Sequence, residues 1–169
     1  LTHQDSLGNG ETLRPGEVQR MSAGRGILHS EFNRSVRETT HLLQIWIEPH
    51  TQGVESGYEQ KPFAAAGRDG RFQLVASPDG RDGSLSMHAD AALYLGHFNG
   101  AQQAEFELDA RRRAYVHVAR GRVSVNGVKL EAGDALKVEK ETALRFEQGE
   151  QAEVLVFELS GVQPTPSFV

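Results

Sequence analysis

The sequence predicts an all-β protein, and three observations carry that prediction. Helical periodicity is almost absent. Short runs of Val, Ile, Leu, Phe, Tyr and Trp alternate with polar residues at period two, and they recur about every 8–12 residues, as in a sandwich or barrel. Two Asn-Gly pairs, Asn9-Gly10 and Asn126-Gly127, read as tight hairpin turns that need positive φ.

Taken in order, the strand-like runs are "EVQRMSA" (17–23), "HLLQIWIE" (41–48), "RFQLVAS" (71–77), "AALYLGHF" (91–98) and "AYVHVARG" (114–121). "RVSV", "VKL", "ALKV", "ALRF" and "EVLVFEL" follow, ending at residue 159. The polar, glycine-rich segment 49–70 reads as a connection with a short helical turn. The tail "SGVQPTPSFV" carries two prolines and is expected to be irregular or an extended arm.

The two Asn-Gly regions resemble each other. "NGETLRPGE" (9–17) and "NGVKLEAGD" (126–134) share Asn, Gly, Leu, Gly and an acid at a constant offset, and "LQIWIE" (43–48) resembles "VLVFEL" (154–159). Chance similarity between two hairpins is the competing explanation. If the repeat is real, Phe146 and Gln148 stand where the first copy has His29 and Glu31. The second copy is then a structural module, preceded by strands over about 71–125 that the first copy lacks.

The bulk numbers exclude several classes. The chain has 169 residues, a net charge of −5 and no cysteine. Disulfide and thiolate chemistry are therefore absent, and a reducing cytoplasm is compatible. No Lys/Arg-rich face argues for nucleic acid; "ARRRA" (110–114) reads as a solvated turn. No segment approaches the roughly 18 apolar residues of a membrane span. The chain opens on Leu1 rather than Met, so a clipped or truncated start is expected.

Chemistry concentrates in "AGRGILHSEFN" (23–33). On a strand, His29 and Glu31 point to one face, an imidazole beside a carboxylate, as a metal site often begins. A buried His–Glu hydrogen bond is the bland alternative. Ser30 points the other way and cannot pair with His29 as a nucleophile.

"H-x-D-S-x-G-N" (3–9), "RPGEVQRMSAGRGILHSEFN" (14–33), "HLLQIWIEP" (41–49) and "LVASPDGRDGSL" (74–85) together resemble the pirin family, over nearly the whole chain. The resemblance implies a bicupin: tandem antiparallel β-barrels, or jelly rolls, here with the N-terminal cupin incomplete. It implies a partial metal-site cupin over 1–50, a connection over 51–70, a C-terminal cupin without metal ligands over 71–162, and a tail over 163–169. A cupin-like pattern, Gly26-x-x-His29-x-x-x-Asn33, is present, with Gly24 where proline is usual.

Family membership implies four protein ligands for a divalent metal, Fe(II) foremost. His29 and Glu31 match two; the other two belong to an upstream His-x-His that this sequence does not contain, so this chain alone is expected to hold metal poorly. The activity implied for the full-length form is quercetin-type flavonol dioxygenation, with Glu31, moving on and off the metal, also serving as base for the substrate hydroxyl; with its site incomplete, this truncated chain is not expected to match that activity. Around the site, His3 reads as a strand-end residue or an outer donor. Met21, Phe32 and Trp46 read as core or as walls of an aromatic pocket. The alternative function is a metal-binding regulatory or protein-interaction module, and a broken barrel with open strand edges is expected to pair into homo-oligomers.

Overall fold

The computed structural model describes residues 1–51 and 53–161, and the alternating runs form antiparallel ladders. The first part holds β1 (Thr2–Asp5), β2 (Gly10–Thr12), β3 (Glu17–Ser22), β4 (His29–Phe32) and β5 (Gly57–Pro62). They make a three-stranded sheet, ordered β2-β1-β4, and a separate β3-β5 ribbon.

The second part holds β6 (Phe72–Ser77), β7 (Leu85–Ser86), β8 (Ala91–Phe98), β9 (Ala104–Glu107), β10 (Arg113–Val125), β11 (Val128–Glu131), β12 (Ala135–Glu139) and β13 (Ala143–Leu159). One sheet runs β11-β10-β13-β8-β6-β7, with β12 on β10 and β9 on β13. β10 absorbs both "AYVHVARG" and "RVSV", and β13 absorbs "ALRF" and "EVLVFEL". Register shifts between Val118 and Ser124 keep these long strands paired where the sequence suggested separate elements.

The run Val154-Leu155-Val156-Phe157 is continuously apolar because both faces of its strand are covered. Val154 and Val156 join a core of Phe98, Phe106, Val116, Val125, Leu144 and Phe146. Leu155 and Phe157 join a second core with Phe63, Val75, Leu85, Met87 and Leu93, on which Val18 and Ile47 also pack. Four phenylalanines fill the first core: Phe72 lies edge-on to Phe146 at 4.7 Å, and Phe98 stacks on Phe146 at 5.7 Å. A polar lock ties the β3-β5 ribbon to β7: Glu59 meets Arg20 at 3.2 Å and Lys61 at 2.8 Å, and accepts from the Ser86 amide.

The two Asn-Gly pairs part company. Asn126 (φ 48) and Gly127 (φ 82) form the expected tight turn between β10 and β11, with Val125 opposite Val128. Asn9-Gly10 does not. There Gly8 carries the positive φ, and Gly10 already belongs to β2. Asp5 holds this turn instead: its carboxylate accepts from the Leu7 amide (2.9 Å), the Asn9 amide (3.0 Å) and the Asn9 side chain (2.8 Å).

Two further expectations change. "HLLQIWIE" (41–48) forms no strand; Leu42, Leu43, Ile45 and Trp46 are exposed, and no described strand lies alongside to pair with them. The segment 51–70 is more than a connection, because it contributes β5 as well as a single 3-10 turn at Ala65–Gly67. The tail at 163–169 lies outside the described residues.

Replacing Phe146 with Ala empties the centre of the aromatic core and is expected to cost about 3–5 kcal/mol of stability, read as a lower urea midpoint. Burial works to raise the Asp5 pKa, but the Asn9, His3 and Leu7 hydrogen bonds outweigh it and hold it at about 2, against 3.8 for a free side chain. The stabilisation from ionised Asp5 is complete above pH 3.8 and fades as pH falls toward 2. Unfolding midpoints measured across that window should fall less steeply in Asp5→Asn than in the parent.

Candidate metal centre

The site is built by one strand pairing. β1 runs antiparallel to β4 with His3 opposite Glu31 and Asp5 opposite His29. Both members of each strand lie two residues apart, so all four side chains share one face. Directly opposed residues on adjacent strands stand close enough for their side chains to interact. A two-by-two patch results: two imidazoles and two carboxylates.

Within it, one potential ligand atom each from His3, His29 and Glu31 lies within 4.8 Å of the others, and this is the one such three-residue cluster among the described residues. The His3 and His29 rings are 5.6 Å apart. His3 is fully buried, whereas His29 is exposed and Glu31 is half-buried. The His3 ring places Nε2 3.3 Å from Asp5 Oδ2 and Nδ1 3.4 Å from Glu31 Oε1. Gln19 on β3 donates to the same Glu31 oxygen, and Tyr58 on β5 donates to Gln19 at 3.1 Å. The Tyr58 ring stacks on His3 at 4.9 Å.

The local field is negative. Burial pushes the Tyr58 phenol up to about 12, helped by the charges of Glu11, Asp5, Glu31 and Glu17. Tyr58 therefore remains a protonated donor, and the same carboxylates favour a cation at the patch. Gly24 (φ 56) sets the connection between β3 and β4: a Cβ there would lie 2.5 Å from the Val54 carbonyl oxygen, so only glycine lets the two segments touch.

His29 and Glu31 open onto a cleft of about 1670 Å³, walled in part by Met21, Ile27, Trp46, Leu93 and Leu95. Met21 and Trp46 thus stand on the cleft with the two candidate ligands. Trp46 is 87% exposed rather than core. Phe32 points away from His29 and Glu31 and carries the Arg34 guanidinium at 5.5 Å from its ring centre. His3 is the buried corner of the patch, and its contacts with Asp5 and Glu31 go beyond holding a turn. Sequence reading passed over Asp5 and Gln19 as site residues. The available signal was that His3-x-Asp5 repeats the two-residue spacing of His29-x-Glu31.

The other histidines are engaged elsewhere or scattered: His41 accepts from Arg120 at 3.2 Å, and His97 lies 3.6 Å from Asp69. The arginines of "ARRRA" each face an acid, Arg111 to Asp109 (2.6 Å), Arg112 to Asp90 (2.8 Å) and Arg113 to Glu139 (3.2 Å). Among the described residues no helix is long and apolar enough to cross a membrane.

Comparison with known proteins agrees with this geometry. The family model described as Pirin matches residues 1–47, and the one described as Quercetinase C-terminal cupin domain matches residues 74–159. Quercetin 2,3-dioxygenase of Escherichia coli strain K12 is 45% identical over 162 residues, spanning 96% of this chain and 69% of that protein. A putative quercetin 2,3-dioxygenase of Pseudomonas aeruginosa is likewise 45% identical, over 95% of this chain and 69% of its own. The crystal structure of YhhW from Escherichia coli superposes with a TM-score of 0.89 at 43% identity, covering 97% of this chain and 69% of that one. The structure of bacterial pirin YhhW in complex with nickel(II) gives 0.87, also at 43% identity, over 95% and 68%. With both parts matched and such identity across nearly its whole length, this chain belongs to the pirin family of bicupins.

Proposed function

We propose that this chain carries the metal-binding face of a cupin dioxygenase that acts on flavonols of the quercetin type. The observation that carries the reading is the juxtaposition of His29 and Glu31, facing an apolar-walled cleft beside His3. The similarity to proteins named quercetin 2,3-dioxygenase supplies the substrate class.

The donor chemistry fits a divalent transition metal. Imidazole nitrogen and carboxylate oxygen suit iron, nickel, copper or zinc, and among these Fe(II) is the ion we favour for oxygen chemistry; the relative with nickel(II) makes nickel the first comparison. His29 and Glu31 would hold the ion, which when bound supplies Lewis acidity toward a chelating hydroxyl-ketone and a place for O₂. Two protein donors leave most of its coordination to others, so retention by this chain alone should be weak.

This chain's own residues do the rest. Met21, Ile27 and Trp46 offer apolar walls against which an aromatic ring system can lie. Glu31, by moving off the metal, would free an oxygen to take the flavonol hydroxyl proton. The phenol of Tyr58, kept protonated, shares its proton between Gln60 at 2.5 Å and Gln19 at 3.1 Å, and Gln19 in turn holds Glu31.

The test has two parts. Equilibrium dialysis of the chain against Fe(II) or Ni(II), read by elemental analysis, should show weak binding that His29→Ala and Glu31→Gln each weaken at least tenfold, in line with loss of a ligand. Quercetin mixed with the metal-loaded full-length protein should lose its long-wavelength absorbance as the ring is cleaved, and Glu31→Gln should abolish that loss. Absence of turnover by the full-length protein with Fe, Mn, Co, Ni and Cu alike would overturn the enzymatic reading.

A second reading rests on a separate observation. Val36 is 96% exposed and Trp46 87%, with Leu42, Leu43 and Ile45 also open, beside a three-stranded sheet whose outer strands are unpaired among the described residues. Such surfaces associate. The chain is expected to elute as a dimer or larger in size-exclusion with light scattering; a strict monomer at high concentration would remove this reading.

A further inference from the structure

The patch contains a residue whose role neither the family match nor the ligand assignment specifies. His3 has no exposure to solvent, and each of its ring nitrogens already faces a carboxylate oxygen: Nε2 to Asp5 and Nδ1 to Glu31. Neither nitrogen has a lone pair turned to open space. Asp5 is itself fixed, because Leu7 and Asn9 donate to both of its oxygens. The Tyr58 ring, stacked at 4.9 Å with a 23° tilt, blocks rotation of the imidazole on one side. The result is a chain of support that runs from a backbone turn, through Asp5 and His3, to Glu31.

Gln19 reaches Glu31 from another strand and donates to the same oxygen, Oε1. With a proton on His3 Nδ1, two donors would meet on that one carboxylate oxygen, which would fix the rotation of the group and leave Oε2 for a ligand. Metal-binding side chains are commonly oriented in this way by an outer layer of hydrogen bonds. The 3.4 Å separation of Nδ1 from Oε1 is long for such a bond.

We propose that His3 is a positioning residue for Glu31 rather than a metal ligand: stacked on Tyr58 and carrying a proton on each ring nitrogen, it donates from Nε2 to Asp5 and from Nδ1 to Oε1, and so presents Oε2 as the single binding oxygen. The inference rests on the metal reading above for its purpose, but the contact itself exists without metal.

The experiment therefore has a metal-free arm. Ring nitrogen–proton correlations by NMR in the metal-free chain should show a protected His3 ring N–H whose resonance moves in Glu31→Gln. An unmoved resonance overturns the proposal. The second arm titrates Co(II), followed by its visible absorption, into the parent, His3→Leu and His3→Asn, with urea unfolding of each variant as a control for folding. An asparagine side chain places an N–H close to where Nδ1 stands, but its amide is a poor metal ligand. His3→Leu should weaken Co(II) binding about 10–100-fold, the usual cost of removing an outer hydrogen-bond partner. His3→Asn should recover most of that loss with the parent Co(II) spectrum. Leucine binding like the parent, or asparagine as weak as leucine with an altered spectrum, overturns the positioning role. If the parent takes up no Co(II), the metal reading fails, and the ring correlations alone decide the contact between His3 and Glu31.

Discussion

The register between β1 and β4 is the constraint on which the site depends. Because side chains alternate along a strand, one register places His3, Asp5, His29 and Glu31 on a single face, and a slip of one residue would scatter them to both. The turn held by Asp5 fixes where β1 ends. The tight glycine contact at Gly24 brings the chain leaving β3 against the segment that enters β5. Chemistry here is a by-product of strand geometry: no loop has to fold around an ion to bring these donors together.

The second half of the molecule shows what the same architecture does when its interior is given to packing. Phe72, Phe98, Phe106 and Phe146 interlock edge to face and face to face. Aromatic pairs of this kind add to the gain from burial alone. A filled interior leaves no room for a ligand, and it gives the β10-β13 ladder a rigid backing. The first half, with its small sheet and ribbon, leans on that backing through Val18 and Ile47 and through the Glu59 lock. One half supplies stability and the other supplies reactive groups.

Much of this was legible in the sequence. Period-two alternation announced the strands, the Asn126-Gly127 turn appeared as written, and the His29/Glu31 pair declared itself by spacing. The rest depended on which strands meet, and alternation does not carry that information. His3 looked like a strand-end residue until β4 was laid beside β1. Gln19 and Tyr58 reached the site from a ribbon whose second strand, β5, sits in a segment too polar and glycine-rich to read as a strand. The segment 41–48 failed in the opposite sense: its residues favour a strand, but a strand needs a neighbour to hydrogen-bond. At Asn9-Gly10 a side chain, Asp5, outcompeted the backbone preference of the Asn-Gly pair.

The chain has a single tryptophan, and it sits on the wall of the cleft, largely in solvent. Its fluorescence is consequently a private optical channel to the candidate site. The densely aromatic second half contains only phenylalanine and tyrosine, so excitation at the red edge of the ultraviolet band bypasses it altogether. A flat, absorbing guest settling against Trp46 would dim that one lamp through energy transfer. The protein thus arrives with its own reporter at the place where a reporter would otherwise have to be engineered.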